Sequence, residues 1–469
     1  MIDLKTVLRK RLLRLGRLPG VNGAVGFSVL ELIVTLLLLV VISIGMLTFM
    51  DMSNRLTRTQ VAQSMMQGNQ RVAQSEVMKL IRTAGIGGLS TGFDLAQLDT
   101  TVPPDGVLDI ITTEGVFPRG LAIRVDNDST DGDEITTTSD GTKHILVGGT
   151  DVLTLRGVFA TPVNIMTPQV PLSLGATGNL QVTIQAEYNA DAESGSPLFL
   201  QQDIETLRTT LLDGGNSEEA FVLYDRFNPG AFLVMQYDPT NSTLGSKGDN
   251  SLTIGLTLRN GAKYAGPYGR MALGTSLLRV SGGDTFTLAS EGFDIRLPKT
   301  IGAIGLLQEY RFYIRKEWEI PGDTGTLLKP VLTRARFYPG TNDLHPEGTV
   351  DYANNIIDLQ VALGVDLDGS GQVTEDGSST DEVLYNDPSD DDGLSAIAGS
   401  PWVQAGAALS YVRLSTVVQA DRPDLEYKGA LVERVEDHVY TGTDWNTKLE
   451  YQKLRKRILR TTIELRNLP

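Results

Sequence analysis

Oxygen-bearing side chains are concentrated in residues 366–393, which hold ten Asp and Glu residues and no Lys or Arg. The start of this stretch follows the spacing of an EF-hand loop, with Gly371 at the sixth position, where the backbone must turn sharply. Calcium ions take about six to eight oxygen ligands, so these residue types at this spacing predict a calcium site. The candidate ligands are the carboxylates of Asp366 and Asp368, the hydroxyl groups of Ser370 and Thr374, and the backbone carbonyl of Gln372.

The calcium hypothesis has an alternative that the sequence leaves open. An EF-hand loop ends in a bidentate Glu at its twelfth position, and here that position is Gly377, so any calcium binding is expected to be weak. The loop also follows a predicted strand at 356–365, so no EF-hand fold is expected. A solvated acidic turn accounts for the same composition. A second acidic stretch, 126–134, matches no ligand spacing and is predicted to be solvated surface.

The composition argues against several classes of function. The chain has no Cys, which excludes thiol chemistry, and only three His, at positions 144, 345 and 438, which argues against a His-rich metal centre. The formal charge of −16 argues against nucleic-acid binding, which needs a basic surface. No nucleophile elbow, phosphate loop, zinc-protease motif or dinucleotide fingerprint occurs, so the sequence predicts no enzyme.

A basic arm followed by an apolar run occupies the first fifty residues. Residues 1–26 carry six Lys and Arg against one Asp, and residues 27–50 contain a single charge, Glu31. About twenty apolar residues suffice for a helix to cross a bilayer, and the basic arm should stay on the cytoplasmic side. A cleaved secretory signal peptide fits less well because the apolar run is too long and no small-residue cleavage pattern follows it. The sequence therefore predicts a single-pass membrane protein with a large exported body.

The helical pattern continues past the apolar run. Residues 51–84 contain no Pro and one Gly, and their apolar side chains recur in steps of three and four. This periodicity predicts an amphipathic continuation, 51–85, whose apolar face lies on a globular domain. The glycines at 85, 87 and 88 should end the helix.

Gly26-Phe27-Ser-Val-Leu-Glu31, followed by an apolar helix, resembles the signal of type IV prepilins and type II secretion pseudopilins. The resemblance implies that a prepilin peptidase cuts between Gly26 and Phe27 and methylates the new amino group of Phe27. It also implies that Glu31 meets the amino terminus of a neighbouring subunit during assembly. From the residues alone, Glu31 has a second interpretation, since a carboxylate in the first turn of a helix is stabilised by the helix dipole.

Three further stretches resemble PilW-type minor pilins: Lys79-Leu-Ile-Arg-Thr-Ala-Gly85 at the end of the helix, Ile356-Ile-Asp-Leu-Gln-Val-Ala-Leu-Gly-Val-Asp366, and Arg460-Thr-Thr-Ile-Glu-Leu-Arg-Asn467 near the carboxyl terminus. They imply a minor pilin that takes part in initiation, assembly or the tip of a type IV pilus. The implied partners are other minor and major pilins and the prepilin peptidase. The implied location is the inner membrane, with the body periplasmic, and then the pilus. A J-type pseudopilin of type II secretion remains the near alternative, and a membrane-tethered adhesin or hydrolase remains a more distant one.

The body, 86–469, is predicted to be mostly β, with alternating or β-branched runs separated by turn residues, among them 356–365, 411–418 and 457–465. One long helix before many strands predicts an α+β fold, in which the helix packs on an antiparallel sheet, as in pilins. A pilin core needs fewer residues than this body contains. We therefore expect an inserted, mostly β lobe at about 160–300.

Overall fold

The computed structural model describes the following residues: 28–84, 111–112, 115–116, 122–136, 143–159, 163–164, 170–171, 179–185, 201–214, 219–225, 228–249, 251–257, 278–281, 285–288, 300–301, 303–322, 324–339, 344–366, 370, 372–374, 381–387, 408–424, 427, 431–440 and 448–465. The chain divides into two compact units, and the boundary falls between Val61 and Ala62. The second unit therefore starts within the predicted helix, before residue 86.

The helices are α1 (Val29–Thr83), α2 (Gln201–Gly214) and α3 (Leu449–Gln452), with a 3-10 turn at Pro239–Asn241. The described strands are, in chain order, β1 (Ile111–Thr112), β2 (Gly115–Val116), β3 (Ile123–Asp126), β4 (Glu134–Thr136), β5 (Lys143–Ile145), β6 (Val152–Gly157), β7 (Val163–Asn164), β8 (Val170–Pro171), β9 (Asn179–Gln185), β10 (Ala220–Asp225), β11 (Asn228–Tyr237), β12 (Ser251–Thr257), β13 (Leu278–Ser281), β14 (Thr285–Leu288), β15 (Thr300–Ile301), β16 (Ala303–Arg315), β17 (Val331–Phe337), β18 (Leu344–Asn354), β19 (Ile356–Asp366), β20 (Asp381–Leu384), β21 (Ala408–Gln419), β22 (Arg434–Val435), β23 (His438–Val439) and β24 (Lys456–Glu464).

The part of α1 that belongs to the second unit packs by one face. Its buried side chains recur at the three- and four-residue steps that the sequence predicts: Met66, Gln70, Ala73, Gln74, Val77, Leu80 and Ile81. The apolar members of this face share one core with strands β19 and β21. The helix ends at Thr83, where Ala84 N donates to Leu80 O at 2.7 Å.

Four antiparallel strands, in the order β20-β19-β21-β24, form the sheet beneath this helix face. Every residue of β19 is buried, which explains its nearly continuous apolar sequence. Two buried glutamines attach the helix to the sheet. Gln70 Nε2 donates to Thr416 O at 3.1 Å, and Gln74 Nε2 donates to Leu459 O at 2.9 Å. Buried amides of this kind are tolerated because each finds a partner.

A ten-stranded sheet forms the larger part of the second unit. Its main order is β18-β17-β16-β10-β11-β12-β9, and β3, β6 and β7 pair off this path. The thirteen-residue strand β16 organises it, because different parts of β16 pair with β6, β7, β10 and β17. A second hydrophobic core lies between this sheet and α2, with Ile204, Leu207 and Leu211 on the helix side. These residues fall where the sequence predicts an insertion.

The prediction of an α+β chain with one long amino-terminal helix and antiparallel sheets is confirmed. The predicted strands at 356–365, 411–418 and 457–465 correspond closely to β19, β21 and β24. Helix α2 and strand β18 are findings that the sequence did not predict.

Candidate functional site

The first turn of α1 is closed by a reciprocal pair of hydrogen bonds. Leu30 N donates to Ser28 Oγ at 3.1 Å, and Ser28 N donates to Glu31 Oε2 at 3.2 Å. This is a capping box, in which two orphan backbone donors are satisfied by side chains. The predicted assembly residue Glu31 therefore has a structural task within its own helix. The predicted cleavage residues Gly26 and Phe27 lie outside the described residues.

The apolar run that follows is exposed along its length, and this helix is long and apolar enough to cross a membrane. Its two threonine hydroxyl groups donate to carbonyl groups within the helix. Thr35 Oγ1 donates to Glu31 O at 2.6 Å, and Thr48 Oγ1 donates to Ile44 O at 2.8 Å. A segment in lipid needs this internal pairing, because hydrocarbon offers no partner for a polar group.

The candidate calcium ligands lie at the end of β19. Asp366 is buried, and its Oδ1 accepts a hydrogen bond from Ser370 N at 3.2 Å. Ser370 Oγ donates to the carbonyl of Gln372 at 3.1 Å, so two candidate ligand oxygens contact each other. Asp368 lies outside the described residues. Within the described part of the chain, no group of three or more His, Asp or Glu side chains is arranged to hold a metal ion.

A buried acidic cluster that the sequence did not predict joins the segment 127–151 to β19 and to the hairpin of β22 and β23. Asp358 lies at its centre. Asp358 Oδ2 accepts from Tyr440 OH and from His438 Nδ1, the latter at 3.0 Å, and Asp358 Oδ1 accepts from Gln360 Nε2 at 2.9 Å. Gln360 Nε2 also donates to Gly149 O at 2.7 Å. Because the amide thus uses both of its hydrogens, Nδ1 of His438 carries the proton donated to Asp358.

Asp151 makes three hydrogen bonds, two of them to strand β19 and one to Asp128. Its N–H donates to Leu359 O at 2.9 Å, its Oδ2 accepts from Val361 N at 2.6 Å, and its Oδ1 accepts from Asp128 N at 3.1 Å. Asp128 adopts a left-handed backbone conformation with φ of 50°, which Asp tolerates better than most residues. Because one carboxylate oxygen of Asp151 accepts from Asp128 and the other from Val361 in β19, the carboxyl group acts as a bridge between two segments of chain.

Three carboxyl groups of this cluster, those of Asp128, Asp151 and Asp437, hold protons more tightly than ordinary carboxyl groups. Burial, reinforced by the charge of Asp128, raises the pKa of Asp437 to about 6. Burial also raises the pKa of Asp128 and of Asp151. Burial opposes a charge on His438, but the hydrogen bond and charge of Asp358, with the charges of Asp128 and Asp437, raise the pKa of the imidazole.

The chemistry that this arrangement supports is proton binding. An Asp that orients a His also occurs in nucleophilic catalysis, where the second ring nitrogen faces the nucleophile. Here that nitrogen, Nε2 of His438, faces the backbone of Gly149, at which a Cβ atom would lie only 2.6 Å away. Gly149 has φ of +75°, so this position favours glycine both for conformation and for space. The pair acts as a buried clamp between two segments.

One other buried carboxylate of the second unit, Glu219, has basic side chains as its partners. Glu219 Oε1 accepts from His345 Nε2 at 2.6 Å and contacts Arg336 Nη2 at 3.4 Å. His345 Nδ1 accepts from Glu347 N at 3.0 Å, so the Nε2 of this imidazole is the donor. The acidic cluster differs in its balance of charge. Glu219 has two basic partners, whereas four carboxyl groups share the single imidazole of His438.

No protein-family model, no curated protein and no solved structure matches the chain.

The sequence did contain one signal for the acidic cluster. Asp358 and Gln360 are polar residues inside the apolar strand β19, and both are completely buried. Buried polar groups need partners, so two of them in one strand indicate that polar groups from elsewhere meet there. Which groups meet them, above all Asp151 and His438 from distant parts of the chain, depends on tertiary packing.

Proposed function

We propose that the chain is a minor pilin of the PilW type, which enters a filament or its priming complex by helix packing after leader cleavage. The observation that carries the proposal is that α1 has two parts with different surroundings. Its first part is apolar, exposed and capped by one carboxylate, Glu31. Its last part is fixed by Gln70, Gln74 and an apolar face to an antiparallel sheet.

Each feature has a physical role in such an assembly. An exposed apolar helix is stable in lipid, or in a bundle of similar helices from neighbouring subunits. A carboxylate at its start is costly in an apolar environment unless a cation neutralises it, and a neighbour's amino terminus supplies one. The basic arm, 1–26, stays cytoplasmic, so the body is periplasmic and the protein begins in the inner membrane. A pilin-like fold fits the helix and the sheet order β20-β19-β21-β24.

Processing of the leader is the decisive test. We expect protein extracted from the membrane to begin at Phe27 with a methylated amino group, measured by intact mass and amino-terminal sequencing. Co-expression without the prepilin peptidase is the control, and it should leave residues 1–26 attached. A retained leader in the presence of the peptidase, or a cut after residue 45, would contradict the proposal. The partners that co-purify then separate a type IV pilus from a type II secretion pseudopilus.

A further inference from the structure

One edge of the four-stranded sheet has a regular row of outward-facing backbone groups. β24 is the last strand in the order β20-β19-β21-β24, and β21 is its only partner among the strands that the structure describes. Two bonds fix which residues face β21: Ala420 N donates to Arg455 O at 2.8 Å, and Leu465 N donates to Ser410 O at 3.0 Å. Because alternate residues of an antiparallel strand exchange bonds with one neighbour, the odd-numbered positions of β24 face β21.

The even-numbered residues consequently direct their N–H and C=O groups away from the sheet. At the centre of the row stand Ile458, Arg460 and Thr462, and no described strand pairs with them. Their side chains are exposed, and Ile458 keeps 43% of its surface accessible. An open strand edge with β-branched residues is a template on which another extended segment can pair.

A groove of about 590 Å³ adjoins this edge at Ile458. Its apolar lining comes from Tyr427, Leu431, Val432 and Leu454, and Leu431 is half exposed. A strand that pairs with β24 would direct alternate side chains to the same face as Ile458. The groove is therefore placed to receive apolar side chains from every second residue of such a strand.

The charge of this edge is opposite to that of the molecule. Residues 453–464 contain five Lys and Arg and one acid, Glu464, and the groove is lined by Arg434 and Lys456 as well as Glu433, whereas the whole chain has a formal charge of −16. Arg455 is paired with Asp424 and Arg460 with Glu436, both at 2.8 Å. Among the described residues, Lys453 and Arg457 form no ion pair. Basic residues on an edge strand sometimes have no other role than to prevent pairing with other strands. Here the adjoining apolar groove argues that a partner segment binds at this edge.

We propose that the outer edge of β24, with its groove, binds an extended acidic segment of a partner protein, which adds to the sheet as a fifth strand. The inference concerns the body alone and does not rest on the proposed function. Main-chain hydrogen bonds to Ile458, Arg460 and Thr462 would supply affinity. Alternate apolar side chains would enter the groove, and the acidic side chains would complement the basic charge, which favours acidic over basic partners.

The test uses the full chain in detergent micelles and a fluorescein-labelled ten-residue peptide of alternating Glu and Val, with anisotropy as the readout. We expect saturable binding that weakens as salt increases, since exposed charges are screened. A peptide of alternating Lys and Val is the matched control and should bind at least tenfold more weakly. Absence of binding by the Glu/Val peptide up to millimolar concentration, or equal binding by both peptides, would overturn the proposal.

The substitution Thr462→Pro tests the strand pairing itself. It removes an N–H that faces outward and leaves every bond to β21 in place, a position at which strands tolerate Pro. We expect at least tenfold weaker binding of the Glu/Val peptide, whereas Thr462→Val should bind like the wild type. Equal binding by the two variants would overturn the proposal.

Ile458→Glu, at an exposed position, gives a second test that does not alter the backbone. It should weaken binding at least fivefold, and unchanged binding would likewise be contrary evidence.

Discussion

The carboxylate of Glu31 accepts a hydrogen bond from Ser28 N, and this contact explains why a charged residue is tolerated at the start of an apolar helix. The helix dipole adds a favourable interaction with a negative charge in the first turn. A role in assembly is a separate matter, because it depends on the charge of the side chain and on a cation from another subunit. Capping depends only on a hydrogen-bond acceptor, which an amide also provides.

Substitutions at Glu31 can separate these two roles. Glu31→Gln keeps an acceptor for Ser28 N and removes the charge, whereas Glu31→Ala removes both. If the proposed pairing with a neighbour's amine operates, both variants should recover at least tenfold less of the partner pilins on co-purification. Leader cleavage measured by intact mass serves as the control for membrane insertion. Recovery by the Gln variant at the wild-type level would show that Glu31 only caps its helix.

At the scale of elements, strand β19 carries residues of both the buried acidic cluster and the candidate calcium loop. Its centre carries Asp358 and Gln360 of the acidic cluster, and its end carries Asp366 of the candidate calcium loop. The strand is buried along its whole length and lies under α1, so changes at either place act on the core. The last part of α1 shares that core, and experiments on the body therefore need the helix from at least residue 62.

Calcium binding by the loop after β19 is tested by thermal melts of the mature chain in detergent. A ligand present at 100 times its dissociation constant stabilises the native state by about 2.7 kcal/mol, so calcium should raise the melting temperature relative to chelator. Asp366→Asn can still accept from Ser370 N but loses the charge, and it should abolish the difference. Asp387→Asn removes a charge from the same acidic stretch outside the ligand set, so its response should persist. A melt insensitive to calcium up to millimolar concentration would favour a solvated acidic turn.

At the scale of the whole molecule, the acidic cluster makes the stability of the fold depend on pH in an unusual direction. The raised pKa values of Asp437, Asp128, Asp151 and His438 mean that the folded state binds protons more tightly than the unfolded state. This stabilisation is complete at low pH and is lost as pH rises through the folded pKa values. For Asp437 that loss runs from the ordinary pKa of 3.8 up to about pH 6.

We therefore expect the free energy of unfolding to be greater at pH 5 than at pH 7.5. The contribution of Asp437 alone is about 1.5 kcal/mol over this interval, since one unit of pKa shift corresponds to about 1.4 kcal/mol. Denaturant unfolding at the two pH values measures it. Asp437→Asn, which can still accept from Asn127, should reduce the difference. Asp133→Asn, at an exposed position of the segment that contains Asn127, should not. Equal pH dependence in both variants would contradict the assignment.

Below pH 4 the trend should reverse. A hydrogen bond from Lys329 lowers the pKa of Asp421, and a backbone hydrogen bond from Gly248 lowers that of Glu205. Depressed carboxyl pKa values contribute stability that is lost as pH falls through them. The two sets of groups together place the expected optimum at about pH 4.

The sequence by itself determined the long helix, its exposed and buried parts, and the strands β19, β21 and β24, because each follows a local period of apolar side chains. It missed β18, an edge strand whose side chains are mostly not buried, and α2, whose buried residues Ile204, Leu207 and Leu211 pack on strands that are distant in sequence. The prepilin signal and the calcium loop rest on local spacing, and both remain predictions. Only the tertiary structure decided that Asp151, Asp358 and His438, more than 200 residues apart at the extremes, share one buried site. No local pattern encodes such a meeting, because the contacts depend on how two sheets and a hairpin pack around β19.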